Sequence, residues 1–91
     1  MFEWDEAKRQ KNLKKHCLDF RDVRLIFDGR PVVHVPSHKH DGVRFASVAQ
    51  IEARFYTVVW TWRAERRRII SFRRARDGEE NAYREIHGGG T

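Results

Sequence analysis

Seven arginines fall within the fourteen residues from Arg63 to Arg76, a density that selects for anionic partners. The guanidinium fork matches phosphate oxygens two at a time and stacks on bases. If Arg66–Arg74 is a strand, alternation sends Arg66, Arg68, Ile70, Phe72 and Arg74 to one face. Arg67, Ile69, Ser71 and Arg73 take the other. Each face then mixes apolar and cationic groups, so one end is packed and the other exposed. The competing account is a solvated strand, charged to deter edge-to-edge aggregation. Arg63 and Arg76 flank this run, and all seven arginines are candidates for contact with a phosphate backbone.

Glu79 and Tyr83 stand four apart, hence on one face of a helix. A carboxylate beside several guanidiniums is either a plain ion pair or a general base held ionised by them. The tyrosine hydroxyl is a candidate proton donor or phosphate ligand. His16 follows Lys14 and Lys15 at a helix end, where it serves as a cationic cap or as a base or phosphate contact, with Lys15 a further candidate for RNA binding. His34, His38 and His40 surround Pro36 in an expected loop. Lys39 opposes a cation there and only Asp41 adds a carboxylate, so no metal site is expected. Cys17 follows a helix end and lacks the N-terminal dipole that would make it a nucleophile. The chain contains no glycine-rich phosphate loop and no metalloprotease helix motif.

The elements that position these groups follow from local chemistry. Asp5 is a natural N-cap, and Glu6 to His16 contains neither Pro nor Gly, with its acid first and its bases last. A second helix is expected from Phe20 to Asp28, capped by Asp19 and closed by Gly29 before Pro31. β-branched and aromatic residues then dominate: Val32–Val35 up to Pro36, Arg44–Gln50, Arg54–Trp62 and Arg66–Arg74 are four expected strands. Their short links make them antiparallel. Asp77-Gly78 ends the last, and Glu79–His87 reads as a helix. A short strand at Phe2–Trp4 is an alternative to a hydrophobic lead-in. The expected fold is α+β, an antiparallel sheet of about four strands with two N-terminal helices and one C-terminal helix. It forms a single domain over residues 1–87 with a flexible tail at 88–91.

Ninety-one residues make one domain with a thin core. Nineteen Lys and Arg against thirteen Asp and Glu leave a net charge of +6, which favours nucleic acid or another polyanion. One cysteine excludes an internal disulfide and agrees with a cytoplasmic protein. The acidic, aromatic start is unlike a signal peptide, and no apolar stretch approaches the roughly 20 residues of a membrane span.

Phe2-Glu3-Trp4-Asp5, Lys8, Asn12 and Lys15-His16, then Phe20, Phe27-Asp28, Arg44-Phe45, the segment Arg68-Ile69-Ile70-Ser71-Phe72-Arg73-Arg74-Ala75, and Glu79 with Tyr83 together resemble the BrnT toxin family. Cys17 stands where that family has glycine, and Arg76 where it often has threonine. The resemblance implies a RelE-like fold and metal-independent endoribonuclease activity. It also implies a BrnA-like antitoxin with a ribbon-helix-helix half, through which alone the pair would reach operator DNA. Cleavage would proceed through the neighbouring 2′-hydroxyl, without a cofactor. In that scheme Arg68, Arg73 and Arg74 stabilise charge on phosphorus, Glu79 is the base, His16 the alternate base or acid, and Tyr83 an orienting hydroxyl. Two rivals remain. One is a non-catalytic nucleic-acid binder using the arginines with Trp60 and Trp62 as stacking platforms. The other is an interaction domain that neutralises an acidic partner.

Overall fold

The computed structural model describes residues 1–39 and 42–88, with only the backbone of 37–39. The expected His34/His38/His40 loop is largely strand instead. His40 lies outside the described residues, as do residues 89–91 of the expected tail.

Helix α1 spans Glu6–His16 as its composition predicts. The Asp5 carboxylate accepts the N–H groups of Ala7 at 2.8 Å and Lys8 at 3.3 Å. Cys17 ends the helix in the left-handed region (φ 59°), and its N–H donates to the Leu13 carbonyl at 2.9 Å. A side chain is strained in that conformation, where glycine is not. The expected second helix is only a six-residue 3-10 helix, Phe20–Leu25, with Asp19 as its cap. Phe20, Val23 and Ile26 are all buried, so contact with the sheet rather than helix length holds this segment.

The sheet has five strands, one more than expected, and is mixed: β1 (Phe2–Glu3), β2 (Val32–Lys39), β3 (Gly42–Ile51), β4 (Arg54–Arg63) and β5 (Arg66–Arg74), in the order β1-β5-β4-β3-β2. The additional strand β1 is parallel to β5, pairing Phe2 with Arg67 and Glu3 with Arg68. The other pairs are antiparallel. Strand β2 runs through Pro36 instead of ending there, because β2 is an outer strand and a missing N–H is tolerated at an edge. Helix α2 spans Asp77–His87, starting two residues before Glu79.

Two cores flank the sheet. The larger joins Phe20, Val23 and Ile26 to Val58, Trp60, Ile69 and Phe72. The smaller gathers Val33, Val48, Phe55 and Tyr83 beneath α2. Helix α1 packs along β5, tied by Asn12, one of the few buried polar residues. Its amide donates to the carbonyls of Phe72 (2.8 Å) and Leu18 (3.0 Å), and its oxygen accepts the Phe72 N–H at 3.1 Å. Asn12 thus pairs with β5 as a neighbouring strand would, beyond the point where β1 stops.

Candidate active site

The sheet face left open between α1 and α2 holds a cleft of about 440 Å³ lined by Arg44, Ile70, Ser71, Arg73, Arg76 and Glu79 among others. A recess of about 300 Å³ adjoins it and shares Ile70 and Ser71, with Lys8, Lys11, Asn12, Lys15 and His16 as its other wall. A third, of about 120 Å³, brings Arg68 to Arg44, Lys8, Thr61 and Ile70.

A β-bulge makes this convergence. Ser71 pairs with Val59 and Ile69 with Trp60, so Ile70 has no opposite residue. The extra residue resets the alternation of side chains. Arg68 before it and Arg73 after it both reach the open face. Strict alternation separates them, so the expected division of β5 into two fixed faces is corrected here.

Arg73 and Glu79 form a two-bond ion pair in the cleft. Arg73 Nη1 and Nη2 donate to Glu79 Oε1 and Oε2 at 2.8 and 2.9 Å, with the two side chains only 13% and 17% exposed. The Thr57 hydroxyl and the Arg76 N–H also donate to Oε1, each at 2.9 Å. Arg76 is the N-cap of α2, so Glu79 sits in the first turn, where the helix dipole favours an anion. Burial by itself raises the Glu79 pKa, but the donations from Arg73, Arg76 and Thr57 outweigh it and lower it to about 2. A carboxylate this acidic and this fully hydrogen-bonded is a weak proton acceptor at neutral pH. Its geometry is that of a brace for Arg73.

His16 stands on the opposite wall. Burial, then the charges of Lys15 and Arg73, lower its pKa below the ordinary 6.5, so the ring is neutral at pH 7 and able to accept a proton.

The remaining candidates divide. Arg76 and Lys15 line the cleft and its adjoining recess. Arg68 lies nearby, with Nη1 2.8 Å from Glu3 Oε2, and Arg63 is 3.9 Å from the same oxygen. Arg66 is exposed beside the β4–β5 turn. Arg74 is not brought to the cleft: its guanidinium lies 5.6 Å from the Tyr56 ring centre, on the face of the larger core. Arg67 is also on that face, 4.4 Å from the Phe27 ring centre, 5.0 Å from Trp60 and 5.1 Å from Trp62. Tyr83 points into the smaller core, its ring edge-on to Phe55 at 5.2 Å. Trp60 is buried and donates to Ser47 Oγ at 2.7 Å, leaving Trp62 as the exposed member of the expected stacking pair.

Lys8, Lys11, Arg44, Thr57 and Ser71 were not among the predicted site residues. The spacing of Lys8, Lys11 and Lys15 already placed them on one helical face. Arg44 was marked only as part of the family resemblance and Thr57 not at all; both reach the site through strand pairing.

A family model described as "Ribonuclease toxin, BrnT, of type II toxin-antitoxin system" matches residues 4–79, which include every residue that lines the cleft and its recesses. No curated protein matches the chain.

Proposed function

Because the chain belongs to the BrnT family of ribonuclease toxins of type II toxin–antitoxin systems, we propose that it cuts RNA in the cleft between α1 and α2 by metal-independent acid–base chemistry. The observation that carries this reading is the bidentate Arg73–Glu79 pair in a cleft that shares Ile70 and Ser71 with the recess lined by His16.

His16 accepts the proton of a ribose 2′-hydroxyl. The freed oxygen bonds to the adjacent phosphorus, and the bond from phosphorus to the 5′ oxygen breaks. The products are a 2′,3′-cyclic phosphate and a 5′-hydroxyl, whose proton comes from water in the open cleft. Arg73 stabilises the charge that grows on the phosphoryl oxygens, with Arg68 and Arg76 adding to the local positive potential. Glu79 holds the Arg73 fork in place and is a positioning residue rather than the base. Arg74 and Tyr83 contribute through packing. The fold is of the RelE-like kind, the protein acts in the cytoplasm, and a BrnA-like antitoxin inhibits it. No helix among the described residues is long and apolar enough to cross a membrane.

Purified protein incubated with RNA in EDTA should release fragments ending in a cyclic phosphate. Arg73→Ala should lower kcat by on the order of 10²–10³. Arg73→Lys should recover little, since one ammonium cannot reproduce the fork. Glu79→Gln should reduce kcat less than Arg73→Ala. Intact RNA with the folded wild-type protein would reject the nuclease reading.

A further inference from the structure

Helix α1 carries two kinds of cation. Arg9 is bound to Glu6 and Asp19, with Nη1 3.0 Å from Asp19 Oδ2. Lys8, Lys11 and Lys15 make no salt bridge among the described residues. They lie three and four positions apart, so all three fall on one side of the helix, spread over about 10 Å of its length. That side forms the wall of the recess that shares Ile70 and Ser71 with the catalytic cleft. Lys8 also lines the recess that holds Arg44 and Arg68. The bulge residue Ile70 lines all three spaces and joins them into one basic channel.

We infer that this lysine row is an RNA-backbone site, which extends the nuclease cleft and seats the phosphates beside the one that is cut. The proposal rests on the nuclease reading for what is cut, but its binding claim is tested separately. An extended single strand fits because the cations form a line rather than a single socket. The channel is lined mainly by lysine, arginine, small polar and aliphatic groups, with Glu79 and His16 among them and no Phe, Tyr or Trp among its described residues. Without a large aromatic ring to stack on, affinity comes chiefly from phosphate charge. Contacts of that kind fix the position of a strand without reading its sequence.

The test compares the full chain with a Lys8→Ala/Lys11→Ala/Lys15→Ala variant. All three lysines are exposed, so the variant should fold, which circular dichroism checks. Binding is measured on a 2′-deoxy oligonucleotide that cannot be cleaved, over a range of salt. Losing three phosphate contacts should flatten the slope of log K against log salt by about 2 and weaken binding roughly tenfold or more near 0.1 M salt. The loss should be similar for oligo(A), oligo(C) and oligo(U). On cleavable RNA the variant should raise KM far more than it lowers kcat. A wild-type slope and affinity in the folded variant would overturn the proposal, also if the variant had lost affinity for polyglutamate, the probe for an acidic protein segment. Wild-type protein that binds with the expected slope but leaves RNA intact would overturn the nuclease reading and keep the binding site.

Discussion

In the proposed mechanism His16 takes the role of base and Glu79 braces Arg73, the reverse of the expectation that made Glu79 the base and His16 the alternate. Four hydrogen bonds occupy the Glu79 carboxylate, two from Arg73 and one each from Thr57 and Arg76, which leaves it little affinity for a proton. His16 is held neutral by burial and by two nearby cations, Lys15 and Arg73. The pH dependence follows from the direction of that shift. A base must be unprotonated to act, so kcat/KM should fall as pH drops through the His16 pKa, with a midpoint below 6.5. Lys15→Ala removes one of the repelling charges and should move the midpoint upward. NMR titration of the His16 ring beside a pH–rate profile checks both, and an acid limb unmoved by Lys15→Ala would count against His16 as the base. Stability follows the same sign. The unfolded chain binds a proton at His16 more readily, so its contribution is present above 6.5 and lost as pH falls.

At the scale of elements, α2 acts as a lever whose two ends do different work. Tyr83 anchors it against Phe55, Val33 and Val48, and the first turn then delivers Glu79 to Arg73. Tyr83 was expected to act through its hydroxyl, yet its ring is what the smaller core uses. Tyr83→Phe should therefore retain most of the activity. Tyr83→Ala should destabilise the domain by about 3–5 kcal/mol and lower activity by loosening α2. Thermal unfolding and cleavage rates on the two variants separate these outcomes, and a Tyr83→Phe variant as inactive as Arg73→Ala would restore the hydroxyl to the chemistry.

For the molecule as a whole, closure depends on a link between residues sixty positions apart. Asn12 satisfies the N–H and the carbonyl of Phe72 where β1 no longer reaches. Asn12→Ala would leave both backbone groups unpaired against α1, at about 1–3 kcal/mol each. A chain of 91 residues should then melt at least roughly 10 °C lower. A melting temperature within a few degrees of wild type would show that water replaces the amide without loss.

Much of this protein was legible locally. The N-caps Asp5 and Asp19, the bounds of α1, strand β5 and the basic character all follow from side-chain chemistry within a few residues. The short 3-10 helix was not, because burial of Phe20, Val23 and Ile26 sets its length rather than propensity. The fifth strand was legible only as an alternative, since two residues become a strand only when β5 offers an edge. The site divides in the same way. Composition determined that arginines would crowd one segment of the chain. Which of them reach the cleft side was decided in three dimensions, where one unpaired residue in β5 turned Arg68 and Arg73 to a common face and left Arg67 and Arg74 on the other. The physical reason is that alternation along a strand is a property of the chain alone, whereas a bulge depends on register with the neighbouring strand.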